Sequence, residues 1–292
     1  MKLYSPAEIA VLIKRYDLKI SKSLGQNFLA DRNITEKIVE SAQIGKDSLV
    51  LEIGAGLGAL TAAAAQCASR VTAIEIDKNL IPALKDTLKE YDNIDIICTD
   101  ILKEDINSLI KGSAKIAGLD PNRTKIIGNL PYYITTPVIM KILEEKTAAE
   151  SLTFMVQKEV ADRICAKPGK KTYGAVTAAI NYYCAVSYIS DVPRGVFVPK
   201  PNVDSAIIKL DILKEPPVTL ADEKVFFMCI KAGFGQRRKT LLNSLSGSYG
   251  LGKPEIQNAL ERAGINPVRR AETLSIFEFA ALANCIHEEK KV

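Results

Sequence analysis

Leu49-Val50-Leu51-Glu52-Ile53-Gly54-Ala55-Gly56-Leu57-Gly58-Ala59-Leu60-Thr61 decides the fold of this chain. Leu49 to Ile53 is an apolar run of strand length, the glycines make a turn, and the Ala-rich run Ala62 to Ala65 reads as a helix. Glycine lets a backbone approach a ligand closely, and a helix N-terminus presents unpaired N–H groups to it. Val71-Thr72-Ala73-Ile74-Glu75 reads as a second strand, ending about 20 residues on in a carboxylate. A ribose-binding acid occupies that place in a nucleotide-binding α/β unit. A third strand, Ile94 to Cys98, leads into Thr99-Asp100, another acid at a carboxyl end. The glycines alone are permissive. Gly54-x-Gly56-x-x-Ala59 also satisfies the dinucleotide fingerprint, so a nicotinamide enzyme competes at this point.

Asn129-Leu130-Pro131-Tyr132 follows a fourth apolar run, Lys125 to Gly128. A carboxamide, a rigid proline and an aromatic ring at the end of a buried strand make a receptor for a flat amine. The Asn129 oxygen and the Leu130 carbonyl can accept from an exocyclic NH2, Pro131 fixes its own φ, and Tyr132 offers a face for a base. The competing interpretation is a plain strand-to-helix turn, with Thr136-Pro137 as N-cap and first helical residue.

Taken in order, the Gly-rich turn, Glu75, Asp100 and Asn-Leu-Pro-Tyr resemble an S-adenosylmethionine-dependent amino-methyltransferase. The likeness narrows with Gly25-Gln26-Asn27-Phe28-Leu29, Gln157-Lys158-Glu159-Val160 and Phe197-Val198-Pro199-Lys200-Pro201-Asn202-Val203-Asp204-Ser205. Gln236-Arg237-Arg238-Lys239-Thr240 and Arg270-Ala271-Glu272 complete it. This series is similar to the KsgA/RsmA family of ribosomal RNA adenine dimethyltransferases, from roughly residue 20 to 285.

That resemblance implies a Rossmann-like α/β methyltransferase core, a mostly parallel seven-stranded sheet, with a small C-terminal all-helical domain. It implies S-adenosylmethionine as cofactor, S-adenosylhomocysteine as product, and no metal. Asn27, Leu29, Gly54 and Gly56 would line the cofactor, Glu75 would accept from the ribose hydroxyls and Asp100 would partner the adenine amine. Asn129 and Leu130 would hold the acceptor nitrogen, with Asn129 also reaching the cofactor, and Tyr132 and Phe197 would sandwich the base. Arg237, Arg238 and Lys239 would contact RNA. The partner would be 16S rRNA in the small ribosomal subunit, dimethylated at N6 of two adjacent adenosines in a hairpin loop near its 3′ end. Local alternatives stay open: Glu75 could cap the next helix, Asp100 could begin a turn, Glu52 could only hydrogen-bond the glycine turn, and Phe197 could pack in the core beside Pro199 and Pro201. Within the fold, the rival is a methylase of large-subunit RNA, expected to lack the Gln236–Lys239 and Arg270–Glu272 context. Outside catalysis, it is an RNA-binding assembly factor that keeps only the fold.

Composition sets wider bounds. An apolar content of 47% in 292 residues suffices for an α/β domain and a small appended one. A formal charge of +5 by itself implies no nucleic acid, and a solvated helix face is the plain alternative for Arg237 to Lys239. Cys67, Cys98, Cys165, Cys184, Cys229 and Cys285 form no C-x-x-C pair, so reduced cytosolic thiols are expected. His287 is the sole histidine, which leaves a zinc site or a His general base unsupported. No run has the length of a membrane span, and a cytoplasmic monomer is expected.

Along the chain, residues 6–19 read as a basic amphipathic helix with Ile9, Leu12, Ile13 and Tyr16 inward and Lys14, Arg15, Lys19 and Lys22 around them. Lys22 to Leu29 reads as a loop over the ligand, and Asp31 to Ala42 as a helix. Lys111 to Thr124, with Gly112, Gly118 and Pro121, reads as a surface insertion. Lys214-Glu215-Pro216-Pro217 is the clearest linker, which divides the chain into 1–213 and 214–292.

Overall fold

The computed structural model describes residues 3–21, 24–248 and 250–289 and groups into two units. One is Met1–Ala161 with Val186–Ile212, the other Asp162–Ala185 with Leu213–Val292. Lys22, expected beside the first helix, lies outside the described residues.

The first unit is built on strands β1 (Phe28–Leu29), β2 (Leu49–Ile53), β3 (Arg70–Glu75), β4 (Ile94–Cys98), β5 (Thr124–Asn129), β6 (Ser151–Gln157), β7 (Cys184–Val192), β8 (Phe197–Val198) and β9 (Ser205–Ile212). Seven of them form one sheet in the order β4-β3-β2-β5-β6-β9-β7, and β1 pairs antiparallel with β8. The pairs β2–β3, β3–β4, β2–β5 and β5–β6 are parallel, and β6–β9 is antiparallel. β2 and β6 bury nearly every side chain, as strands covered on both faces must. The chain winds outward from β2 through β3 to β4, then returns to the other side of β2 with β5. The crevice at the carboxyl ends of β2 and β5 is therefore the topological switch point, where open α/β sheets bind ligands. Gly128 makes that neighbourhood possible, since a Cβ there would stand 2.5 Å from the Ile53 carbonyl oxygen.

The helices mostly follow the sequence pattern. The first runs Pro6–Arg15 and stops short of residue 19, because Asp17 turns to φ 48°. Asp31 caps the helix Arg32–Ser41 by accepting from the Ile34 N–H at 3.2 Å. The expected insertion at 111–124 is mostly something else. A helix from Ile106 to Ala117 runs through it, capped by Asp105, burying Ile106, Ile110 and Ala114, and ended by Gly118 at φ 66°. That buried i, i+4, i+8 face outweighs the low helix propensity of Gly112, leaving only 118–123 as connector.

The second unit is helical: Ala175–Tyr183, Glu223–Gly235, Leu241–Leu245, Lys253–Arg262 and Ile276–Glu289. Its core includes Tyr173, Tyr182, Phe226, Leu260 and Phe279. The boundary thus differs from the expected 213/214 division in one respect. Residues 162–185 belong with the helices, because Tyr173 is 1% exposed in that core and the Tyr182 ring lies 5.2 Å from Phe226. No helix among the described residues is long and apolar enough to cross a membrane.

Candidate active site

The carboxyl ends of β2, β3 and β5, together with the turn after β4, open on a cavity of about 210 Å³ within the first unit. Asn27, Leu29, Gly54, Gly56, Glu75, Asp100, Asn129, Leu130 and Tyr132 all line it. Gly54 (φ 81°) and Gly56 (φ 60°) take left-handed conformations that other L-residues resist. The N–H groups of Gly54 and Ala55 both donate to the Ile74 carbonyl, which holds the turn against β3.

Glu75 is 5% exposed, and both carboxylate oxygens are oriented by backbone. Oε2 accepts from the Gly56 N–H at 2.8 Å and Oε1 from the Asp77 N–H at 2.9 Å. Burial pushes its pKa up while these N–H groups pull it back. It does not cap the next helix, Ile81–Leu88, whose N-cap residue is Leu80. Asp100 combines both of its readings: it faces the cavity, and its Oδ1 begins a turn by accepting from the Leu102 N–H at 3.1 Å.

Glu52 also lines the cavity, at 1% exposure. It receives no hydrogen bond from the glycine turn among the described residues, and its Oε2 has no partner. Burial first, opposed by the nearby Thr61 hydroxyl and reinforced by the Glu75 charge, pushes its pKa up to about 8. Thr61 closes no hydrogen bond of good geometry with it.

At the end of β5, Asn129 Nδ2 donates to the Asn27 carbonyl at 3.0 Å. Only the amide nitrogen can make that bond, so Oδ1 is the carboxamide atom left for a ligand. The Leu130 N–H is held by the Met155 carbonyl at 3.2 Å. The Pro131 carbonyl accepts from the Ile134 N–H and the Thr135 hydroxyl, so the helix begins at Thr135 rather than after Thr136. The Tyr132 hydroxyl bonds to Ser205 Oγ at 3.2 Å, which fixes the ring's tilt.

Phe197 is not brought to the cavity. Its side chain is 4% exposed and packs with Leu29, Val192 and Ile207, and its backbone pairs with Leu29. In this arrangement the ring packs in the core, the alternative left open from the sequence. In the helical unit, Arg237 is about half exposed but anchored at one end: its Nη2 donates to the carbonyls of Lys171 (2.8 Å) and Tyr173 (3.3 Å) and lies 3.5 Å from Glu272. Arg238 and Lys239 are exposed and pair with no carboxylate among the described residues.

Several lining residues were not singled out from sequence. Ile76, 48% exposed after Glu75, and Ile101, 4% exposed after Asp100, provide apolar walls beside the two acids. Their signal was an apolar residue directly following each acid. Gln26, and Ser205 behind the lining, fall within motifs quoted from the sequence, but their pairings with Asp77 and Tyr132 had no local signal, being distant in sequence.

A switch-point cavity flanked by two strand-end acids and an Asn-Leu-Pro-Tyr turn is that of a methyltransferase of the Rossmann-like class. A family model for ribosomal RNA adenine dimethylases matches residues 17–288. Ribosomal RNA small subunit methyltransferase A of Clostridioides difficile (strain 630) is 49% identical over 276 residues, 94% of each chain. Its namesake in Geobacillus thermodenitrificans (strain NG80-2) is 47% identical over 285 residues, 97% of this chain and 96% of that one. Among solved structures, a dimethyladenosine transferase from Plasmodium falciparum superposes with a TM-score of 0.72 at 26% identity, over 87% of this chain and 95% of that one. The 23S rRNA methyltransferase ErmE superposes at 0.69 and 27% identity, over 89% of this chain and all of that one. The chain belongs to the ribosomal RNA adenine dimethylase family.

Proposed function

We propose that this enzyme dimethylates N6 of two adjacent adenosines in a hairpin loop near the 3′ end of 16S rRNA in the small ribosomal subunit, using S-adenosylmethionine. The observation that carries the reading is the convergence, on one cavity, of the free Asn129 Oδ1 and the Tyr132 ring with Glu75 and Asp100. The small-subunit assignment is supported by relatives at 47–49% identity across nearly the whole chain.

The residues present fit the cofactor. Glu75 is a fixed double acceptor suited to a ribose diol, Asp100 suits an adenine amine, and Ile76 and Ile101 suit the faces of its ring. The orphaned Glu52 Oε2 suits an ammonium group, and the glycine turn leaves room for backbone approach. When bound, S-adenosylmethionine supplies an electrophilic methyl group on a sulfonium.

The chain's own contribution lies with the acceptor. An adenine N6 lone pair is delocalised into its ring, and hydrogen bonds accepted by Asn129 Oδ1 and the Leu130 carbonyl favour a pyramidal nitrogen that is gaining positive charge. This is electrostatic preorganisation of the sign opposite to an oxyanion hole. Tyr132 stacks on a base that must first leave its stack in the loop, an interaction contributing about 1–3 kcal/mol. No histidine is needed, because a positively charged substituted nitrogen loses its proton readily.

Tritium transfer from labelled S-adenosylmethionine tests the assignment, with 30S particles lacking the two dimethyladenosines as acceptor and 50S particles alongside. Label should appear as dimethyladenosine in 16S rRNA. Label in 23S rRNA instead would favour the large-subunit alternative, and label in neither would leave an assembly factor.

A further inference from the structure

The catalytic turn and the ribose acid are joined by a chain of hydrogen bonds that runs through the N-terminal loop. Gln26 Nε2 donates to Asp77 Oδ2 at 2.7 Å, and Gln26 Oε1 accepts from the Ser21 N–H at 2.7 Å. The neighbouring residue's carbonyl, that of Asn27, holds Asn129 Nδ2. At the other end, the Asp77 N–H donates to Glu75 Oε1, and Asp77 Oδ1 accepts from both the backbone and side-chain nitrogens of Asn79. Asp77 is 8% exposed, so its link to Gln26 forms largely out of water.

We infer that Gln26 is a positioning residue for methyl transfer: by tying the 24–29 segment to Asp77 it holds the Asn27 carbonyl where it forces Asn129 Oδ1, rather than Nδ2, toward the acceptor amine. The inference rests on the proposed N6-methylation. A carboxamide has two ends of opposite sense, and a turned Asn129 would present a donor to a nitrogen that needs an acceptor. Phe28 and Leu29 are held by their pairing with β8, so what Gln26 fixes is the 24–27 end, where Asn27 Nδ2 turns back to the Gly25 carbonyl and a Cβ on Gly25, at φ 61°, would stand 3.4 Å from Pro131 Cβ. Because Asp77 also orients Glu75, the same link makes the cofactor acid and the acceptor turn parts of one preorganised unit.

A donor–acceptor swap tests this. Gln26→Glu sets two carboxylates against each other. Gln26→Glu combined with Asp77→Asn reverses the bond while keeping an acceptor for the Ser21 N–H and an acceptor for Asn79. With cofactor and RNA saturating, Gln26→Glu should slow single-turnover methylation by about tenfold or more, the scale of a small misplacement of a reacting group. Hydrogen–deuterium exchange of the 24–29 amides should quicken, and calorimetric binding of S-adenosylhomocysteine should change by less than the rate. The double variant should recover both rate and protection. A double variant as slow as Gln26→Glu, or 24–29 amides that exchange in Gln26→Glu as in the wild type, overturns the positioning role. Failure of the wild-type chain to methylate adenine overturns the functional reading instead, and the exchange measurement tells the two apart.

Discussion

The cavity rim and the basic run at 236–239 are both dense in polar groups, yet they use them differently. At the rim, internal hydrogen bonds orient a functional group and leave it further acceptor capacity. Asn129 gives its nitrogen to Asn27 and keeps its oxygen, and Glu75 is oriented by two N–H groups without being exhausted. In the basic run, Arg237 gives its Nη2 to two carbonyls and Glu272, and Glu272 in turn accepts from the Gly169 N–H through its own carbonyl. Gln236-Arg237 and Arg270-Ala271-Glu272 therefore act together as a brace, with Ala271 packed on Gly233. A motif is available to a ligand only where the fold has left it an unsatisfied end.

The hardest test of this contrast falls on Asn129. In the proposed transfer its carboxamide oxygen would gain strength as the acceptor nitrogen becomes positive, so Asn129→Ala should lower the single-turnover rate by about 10²–10³-fold, the effect of removing one preorganised polar group. S-adenosylmethionine binding, read by calorimetry, should change by far less. A variant that methylates near the wild-type rate with RNA bound would reduce the rim to ordinary turn structure.

Glu52 sharpens the same contrast at the level of stability. Its carboxyl keeps a proton to about pH 8 in the folded chain, and the unfolded chain releases it in the usual carboxylate range. The folded state then binds more protons across that window, so the contribution is full below the unfolded pKa and is lost as pH rises towards 8. The loss is on the order of a few kcal/mol. Glu52→Gln stays neutral throughout, so calorimetric unfolding without cofactor should show its stability rising relative to wild type between pH 5 and 8. A difference that does not vary with pH would mean that Glu52 is not held neutral and that its orphaned oxygen is solvated.

Sequence legibility follows the same line. Strand-end residues were readable because a parallel sheet places successive carboxyl ends side by side, so Gly54, Glu75, Asp100 and Asn129 had to converge. Residues whose role depends on a distant partner were not. Gln26 meets Asp77 fifty-one positions away, and Tyr132 meets Ser205 seventy-three away. Phe197 shows a related limit: an aromatic beside prolines gives no sign of which face it turns, and here it pairs with Leu29 and is buried outside the cavity lining. The helix through Gly112 is hard to see in the sequence because Gly112, Gly118 and Pro121 signal a loop, whereas its buried face at Ile106, Ile110 and Ala114 forms only against the sheet.

The smallest effect separates the members of the basic run. Arg237 is about half exposed and braces two loops of the helical unit, so Arg237→Ala should destabilise that unit by about 1 kcal/mol. It should leave the salt dependence of 30S binding nearly unchanged, because its charge is already engaged. Arg238 and Lys239 reach solvent with no carboxylate partner among the described residues, so each is available to a phosphate. Their joint replacement by alanine should leave thermal stability intact and flatten the slope of log affinity against log salt by about 0.7–0.9 for each phosphate no longer neutralised. Stability and salt slope have to be measured on the same variants, since neither alone separates a brace from a ligand group. If Arg237→Ala flattens the slope instead while the unit keeps its stability, the brace opens when RNA arrives, and Arg237 belongs with the ligand groups after all.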